Sequence, residues 1–393
     1  MAWKVRHQRP VVSARARPAQ LPETLQRYLA NAEAALAEPF KGISADGRPL
    51  RGLFPIAPTG VSTEAITKAA QAFLGSLGAD DAHAVSFPLD DEAWRRWSNI
   101  HPCLMRHGLL LDRLTPAQRE RALALISACL SKRGLTTVRD VMKLNEFIGE
   151  VTGRWEEYGE WLYWLSVMGT PSASEPWGWQ IDGHHLIINC VVLGDQLVMT
   201  PMFLGSEPVH ADSGRYAGTR VFAGEEAKGL ALMRSLSPAQ RTRATLGHEL
   251  PTELFTAAFR DNFEMTYEGI RYDELERGQQ EGLLDLLDVY VGRIRPGHAR
   301  VRMDEVRRHL GQTWFSWIGA ATETSVFYYR VHSPVILVEF DHQRGIALDN
   351  DAPSRDHIHT VVRTPNGNDY GKDLLRQHYE RFDHASGRHQ GRP

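Results

Sequence analysis

The chain has 393 residues, enough for one large or two ordinary domains, and its 42% hydrophobic and 24% charged residues are typical of a globular protein. Its 45 basic and 48 acidic side chains leave a net charge of −3 with neutral histidines, which argues against a nucleic-acid partner. No apolar run approaches the roughly 20 residues that span a bilayer, so we expect no membrane partner. Cys103, Cys129 and Cys190 form no CxxC pair, and the sequence therefore favours a reducing, cytoplasmic location.

Composition and apolar spacing divide the chain into three regions. Residues 1–20 are basic but lack the apolar segment of a secretory signal, and we predict a disordered basic tail there. Apolar residues at helical spacing predict a mainly helical region over residues 21–165. Residues 166–393 alternate between strand and helix patterns and predict an α+β region that carries the functional site. No long linker separates the last two regions, so we expect one interwoven domain.

The predicted strands form hairpins. Alternating apolar residues predict one hairpin around Gly194-Asp195, a second around Ser333-Pro334 and one further strand near the C-terminus. Helices are predicted between residues 225 and 290, interrupted at Pro251 and at Glu268-Gly269. The predicted strands are residues 184–192, 196–203, 325–332, 335–342 and 357–363. This order predicts an α+β fold in which a small, mostly antiparallel sheet of hairpins is enclosed by a helical shell.

Polar side chains interrupt one face of several predicted strands. Since side chains alternate across a strand, His357 and His359 share a face, and His185 and Glu339 lie on faces of their own strands that also carry polar groups. Buried imidazoles and carboxylates are costly unless they are paired or bind a metal. We therefore predict that these four residues bind a divalent transition metal (Fe, Mn, Zn or Cu), because mixed nitrogen and oxygen ligands suit such ions.

Three further polar residues are assigned supporting roles at this site. His184 is predicted either to support a metal-bound imidazole or to replace one of the ligands, and Asp341 is predicted to orient an imidazole. Arg363 shares the face of the two strand histidines and is predicted to hold an anionic group of the substrate. Alternatively, Arg363 forms a salt bridge to Asp341 or Glu339. The same imidazoles and carboxylates can also form an acid–base pair without a metal, or be hydrogen-bonded core residues.

Several short motifs resemble those of one bacterial family. They are Pro171-Ser172, Pro176-Trp177-Gly178-Trp179-Gln180, Gly183-His184-His185-Leu186, Thr200-Pro201, Phe203-Leu204-Gly205, Glu207-Pro208, Tyr328-Tyr329-Arg330 and His357-Ile358-His359. On these residues the chain resembles the family catalogued as domain of unknown function 3500, from about residue 87 to residue 382. The loop before His357 is longer than is usual in the family. The resemblance supports the motif positions and implies no particular reaction.

These residues indicate a metal-dependent enzyme that acts on a small, anionic molecule. Motifs for dinucleotides, the P-loop, a nucleophilic serine and HExxH are absent from the sequence. We favour an oxidoreductase, because nearby aromatic side chains would shield a reactive intermediate. A zinc-type metallohydrolase fits the same ligands, and a metal-free small-molecule binding protein is the alternative from another class. The sequence leaves the oligomeric state open.

Overall fold

The computed structural model describes residues 3–6, 10–16, 21–100 and 104–381. Within these residues, 13 strands join into one mixed sheet, in the order β1-β3-β4-β5-β7-β13-β12-β11-β10-β8. Three short strands extend it, since β2 pairs with β3, β6 with β5 and β9 with β10. The strands are β1 (Ser86–Phe87), β2 (Leu109–Leu110), β3 (Tyr163–Met168), β4 (Trp177–Gly183), β5 (Leu186–Leu193), β6 (Gln196–Val198), β7 (Met202–Ser206), β8 (Thr245–Gly247), β9 (Ile270–Arg271), β10 (Trp314–Gly319), β11 (Phe327–His332), β12 (Leu337–Arg344) and β13 (Pro353–Arg363).

Ten α-helices lie in the same described residues, and none of them is long and apolar enough to cross a membrane. Local hydrogen bonds explain where α4 begins: Thr115 caps the helix with a reciprocal bond to Gln118, and Pro116 fills the first helical position. The helices are α1 (Glu23–Ala37), α2 (Glu64–Leu74), α3 (Ala79–Val85), α4 (Pro116–Cys129), α5 (Lys132–Thr152), α6 (Ala223–Ser235), α7 (Pro238–Ala244), α8 (Arg277–Val291), α9 (Pro296–Arg308) and α10 (Lys372–Arg381). Short 3-10 helices lie at Glu92–Arg95, Leu111–Arg113, Tyr272–Glu274, Leu310–Gln312 and Asp369–Gly371.

The two faces of the sheet are covered differently. On β5, Leu186 and Ile188 point to one face, where they share a core with residues of α2, α4, α5, α6 and α8. Ile187 and Val191 point to the other face, whose core is completed by Trp94, Trp97 and the segment around Leu254. We call these the helical face and the loop face. The side-chain alternation of one strand therefore separates a helix-packed core from a core covered by irregular segments.

The prediction of a small sheet is wrong. The hairpins do not form separate small units, because β5 pairs with β7 and β7 pairs with β13, which joins the first hairpin to the second. The aromatic segments that became β3 and β10 were not predicted as strands. All six residues of β3 are buried, so both of its faces are apolar and the period-two signal disappears. Most pairs are antiparallel, but β1–β3 and β8–β10 are parallel.

The helical prediction for residues 225–290 is also wrong in part. Between β8 and β9, residues 248–269 contain no helix and cover the loop face of the sheet. Leu254 and Ala257 supply the apolar contacts of this cover. Pro251 is incompatible with a continuing helix, which explains the break but not the irregular path that follows.

The division into regions 1–20, 21–165 and 166–393 stays a prediction, although β3 spans the boundary at 165 and pairs with strands on both sides of it. In the first region, Trp3 donates to Asp212 at 3.1 Å, and the Val12 amide donates to Glu157 at 2.8 Å. These contacts favour a docked segment over a free tail for residues 3–6 and 10–16. The rest of the predicted tail, residues 1–2, 7–9 and 17–20, lies outside the described residues.

Candidate metal centre

Three histidines from two parts of the sheet meet at its loop face. His357 and His359 lie on β13, while His185 lies in the two-residue turn between β4 and β5. His184-His185 thus form a turn rather than the start of the predicted strand, and His185 has a left-handed backbone with φ of 63°. β7 connects the two parts, because Gly205 is opposite His359 and its amide donates to the His185 carbonyl at 2.9 Å.

The Nε2 atoms of the three imidazoles converge on one point. His185 and His359 are 3.0 Å apart through these atoms, His357 and His359 are 3.0 Å apart, and His185 and His357 are 3.2 Å apart. All three side chains are buried. Among the described residues they form a group whose ligand atoms all lie within 4.8 Å of one another, the arrangement of a site that can hold a metal ion.

Gly205 makes room for this convergence. A Cβ at this position would lie 2.9 Å from Cδ2 of His359 and 3.1 Å from Cδ2 of His185, and 2.9 Å from the Ile358 carbonyl oxygen. These separations are shorter than ordinary van der Waals contacts. Because the backbone on one side cannot move without breaking the β7–β13 ladder, any other residue would displace at least one imidazole.

The outer ring nitrogens determine which atoms face the centre. His357 donates from Nδ1 to the Arg344 carbonyl at 2.7 Å, and His359 donates from Nδ1 to the Glu253 carboxylate at 2.8 Å. Neither acceptor has a proton to give, so each ring carries its proton on Nδ1 when it is neutral. The two Nε2 lone pairs then face each other across 3.0 Å. A cation between them removes this repulsion.

Burial and hydrogen bonding set the charge states of His357 and of Glu253. Burial lowers the pKa of His357 to about 4, against a smaller opposing effect of the Glu207 carboxylate, so the ring is neutral near pH 7. For Glu253, burial favours the protonated acid, but the charge of His359 and its hydrogen bond outweigh this effect and lower the pKa. Glu253 is also bound by the Asn99 amide at 3.2 Å. A carboxylate behind a metal-binding imidazole fixes its tautomer and orientation.

His184 supports the group from behind. Its ring stacks on that of His185 with centroids 3.9 Å apart, and its Nδ1 lies 2.8 Å from the Asn145 amide oxygen. The group of three converging Nε2 atoms does not include His184. Its stacking and hydrogen bond restrict the turn that presents His185, which agrees with a positioning role more than with that of a substitute ligand.

Glu339 is not brought to the three histidines. On β12 it is opposite Val361, two residues beyond the pair formed by Asp341 and His359. Its carboxylate accepts the backbone amides of Phe255 and Thr256 at 2.9 Å, and the Tyr328 hydroxyl at 2.8 Å. These bonds hold the segment after Pro251 on the loop face.

Asp341 lies beside His359 but does not bind the outer nitrogen of either strand histidine. Gln343 donates to one of its oxygens, and among the described residues the other oxygen has no hydrogen-bond partner. Burial, reinforced by the nearby Glu253 and Glu339 carboxylates, raises the pKa of Asp341 well above its ordinary value. The predicted orienting role belongs instead to Glu253 and to the Arg344 carbonyl.

Arg363 is separated from the histidines and from solvent. It is fully buried, with Nη2 at 3.0 Å from Asp261 and Nε at 3.3 Å from Asp369, and it lies over the ring of Trp97. It therefore takes part in a buried ion-pair network, with partners other than Asp341 and Glu339. Nothing in this arrangement presents its guanidinium to a substrate at the histidine group.

The model of the family described as "Protein of unknown function (DUF3500)" matches residues 59–372, about four fifths of the chain. The chain belongs to this family. The matched residues include the three histidines, Gly205 and Glu253. No curated protein and no solved structure matches the chain. The resemblance read from the motifs is thus confirmed at the level of the DUF3500 family, which supplies no reaction.

Two residues of the site were missed in the sequence. Glu253 lies in a segment that was predicted to be helical, and no spacing rule links it to a histidine more than a hundred residues away. Gly205 lies two residues beyond the predicted strand 196–203 but inside β7 of the structure, and only with the strand extended to it would it have given the signal of a strand glycine, which often marks a close approach of other groups. Such a signal indicates that other groups lie close to the glycine, but the sequence does not show which side chains these are.

Proposed function

We propose that this protein is a metal-dependent enzyme acting on a small molecule, with one divalent transition metal held by His185, His357 and His359. The observation that carries this proposal is the approach of three buried Nε2 atoms to within 3.0–3.2 Å of one another, on rings of which two donate from Nδ1 to fixed acceptors.

The separations of the nitrogen atoms support a metal with open positions. With metal–imidazole bonds of about 2.0–2.1 Å, angles near 90° place the nitrogen atoms about 2.8–3.0 Å apart, and tetrahedral angles place them about 3.3–3.4 Å apart. Two of the observed separations, 3.0 Å, fit the first arrangement, and the third, 3.2 Å, lies between the two. A metal held by three imidazoles would keep open positions for a substrate and a co-reactant.

This arrangement favours an oxidoreductase with Fe or Mn, since these ions accept six ligands and change oxidation state. The edge of the Phe203 ring packs against His359 with centroids 5.1 Å apart, which gives the metal an apolar neighbour. The ligand group differs from the common two-histidine, one-carboxylate set, because its nearest carboxylate, Glu253, binds the outer nitrogen of His359 instead. Within this proposal Glu253 is a positioning residue.

A zinc-type metallohydrolase is the second candidate. Three neutral imidazoles leave the full charge of the ion uncompensated, which favours ionisation of a bound water. Copper also accepts imidazole ligands.

In the alternative without a metal, the protein is a small-molecule binding protein. A positively charged group of the ligand would then lie against the three Nε2 atoms.

Cobalt substitution tests the enzyme proposal, since the visible spectrum of Co(II) reports its coordination number. We expect metal-free protein to bind Co(II) with the weak absorption of a five- or six-coordinate ion, and azide to change the spectrum by occupying an open position. A strong four-coordinate spectrum that still responds to azide would favour the zinc-type reaction. A spectrum that azide leaves unchanged would identify a closed, structural site and contradict an enzymatic role.

A further inference from the structure

A cavity of about 240 Å³ lies on the helical face of the sheet, away from the histidine group. Its walls include Met202 of β7 and Val362 of β13. Val362 is three residues from His359 along the strand, so the two side chains point to opposite faces. The cavity and the histidine group are thus separated by the thickness of the sheet.

One side of α9 forms the opposite wall. His298, Val301, Arg302, Glu305 and Arg308 all line the cavity, and their spacing of three, four, seven and ten residues places them on one side of the helix. With a rise of 1.5 Å per residue, the wall from His298 to Arg308 is about 15 Å long. The cavity therefore suits an elongated ligand lying along α9.

His298 provides an unused polar atom in this wall. The residue is 4% exposed, and among the described residues its Nε2 has no hydrogen-bond partner. Burial lowers the pKa of His298, and the nearby Arg295 adds to this effect, so the ring is neutral near pH 7. A buried polar atom without a partner is costly, which indicates that a ligand group completes its hydrogen bonding.

The other end of α9 carries an excess of positive charge. Arg302 donates to the Val335 carbonyl at 2.7 Å and to Thr364 at 3.0 Å, and it forms an ion pair with Glu305. Arg308 is exposed and makes no ion pair within the described part of the chain. Two arginines against one glutamate leave one positive charge at this end of the cavity.

We propose that this cavity binds an amphipathic carboxylic acid, with its apolar body along α9, its carboxylate at Arg308 and a hydroxyl group hydrogen-bonded to Nε2 of His298. Met202, Val362 and Leu197 supply apolar contacts for the body. The ligand site is independent of the metal centre, because the two lie on opposite faces of the sheet. Medium-chain hydroxy acids have the required length and both polar ends.

Calorimetric titration of the full-length protein tests this proposal, with ω-hydroxydecanoate, decanoate and decanol as probes. We expect ω-hydroxydecanoate to bind roughly three- to tenfold more tightly than decanoate, as one neutral hydrogen bond provides. His298→Leu should abolish this difference and leave decanoate binding unchanged. Arg308→Gln should weaken decanoate roughly two- to fivefold and leave decanol unchanged.

Two further variants keep the test decisive. Val301 is 36% exposed, so Val301→Trp can fold while its larger side chain fills the cavity, and it should prevent binding of all three probes. His359→Ala, on the opposite face, should bind them normally. The proposal is overturned if ω-hydroxydecanoate does not bind, if the wild type does not prefer it over decanoate, or if Val301→Trp binds the probes as the wild type does.

Discussion

The two ends of one face of β13 hold buried polar groups in contrasting states. At one end, His357 and His359 aim their Nε2 atoms at each other and at His185. At the other end, Arg363 is paired with Asp261 and Asp369, and Asp261 is also paired with Arg95 at 2.9 Å. Two positive and two negative side chains balance there.

The difference separates a candidate site from a structural network. Every charge at the Arg363 end has an opposite charge among the described residues, so charge balance there requires no bound ion, and the ion pairs join β13 to the segments of Asp261 and Asp369. At the histidine end the Nε2 atoms of three imidazoles face one another, an arrangement that a bound cation would complete. Burial alone does not distinguish the two ends, because all of these side chains are buried.

The largest expected effect is on metal binding. His359→Ala and His357→Ala should each abolish metal retention after desalting, because each removes one of only three ligands. Ile358→Val, on the opposite face of the same strand, should keep the metal and lose about 0.5–1.5 kcal/mol of stability. His309→Ala, a histidine at the end of α9, should change neither. If the folded His357→Ala and His359→Ala variants kept their metal, the histidine end would not be the metal site, and the two ends of the strand would no longer differ in function.

The Arg363 end should respond through stability instead. Arg363→Met leaves two buried carboxylates without their partner and should cost about 3–5 kcal/mol in the free energy of unfolding, measured by denaturant titration. The control is Arg96→Met, which breaks an exposed pair with Glu33 and should cost about 0–1 kcal/mol. Metal content per folded molecule should stay at the wild-type level in both. If Arg363→Met lost its metal and kept nearly all of its stability, the Arg363 end would be part of the metal site and not a structural network.

A buried histidine outside the candidate site, His332, sharpens the comparison. His332 on β11 packs against Tyr267 with ring centroids 4.5 Å apart, and burial, assisted by Arg330, lowers its pKa from 6.5 to about 3. The unfolded chain takes up a proton below about pH 6.5 and the folded one does not. The contribution of His332 to the free energy of unfolding is therefore fully present above pH 6.5. It falls by up to about 1.4 kcal/mol per pH unit as the pH decreases towards 3.

His332→Gln should flatten this acid dependence, measured as melting temperature against pH. His83→Gln, at an exposed histidine, should leave it unchanged. The same acid dependence in wild type and His332→Gln would show that other groups control acid unfolding.

The smallest expected effect concerns the positioning of His359. Glu253→Gln keeps the shape of the side chain but removes the charge that fixes the imidazole, and it should weaken metal affinity about 10- to 100-fold. Competition with a chelator of known affinity measures this change. Glu249→Gln, an exposed neighbour, should have no effect. Equal affinities for the two variants would mean that Glu253 plays no part in the centre.

The sequence predicted the face of β13 but not the surroundings of each residue on it. Alternation placed His357, His359 and Arg363 together, and the structure places them on one strand face. However, Arg363 is four residues from His359, or about 13 Å along a strand. Its carboxylate partners come from loops at residues 261 and 369, whose paths depend on tertiary packing that no local pattern records.

The same limit applies to the fold. Strands with one polar face, such as β12 and β13, were predicted because alternation persists there. The fully buried β3 was missed because both faces are apolar, and the segment of Glu253 was predicted to be helical because its apolar spacing fits more than one structure. The two supports of the histidine group, Glu253 and Gly205, therefore required the three-dimensional structure.

Elemental analysis of the purified wild-type protein by mass spectrometry tests most directly whether the three converging histidines hold a metal. We expect one transition-metal ion per chain, retained after dialysis and absent from the His357→Ala/His359→Ala double variant. A folded wild-type protein that retains no transition metal, even after incubation with Fe(II), Mn(II), Zn(II) and Cu(II) in turn, would show that the histidines do not form a metal site.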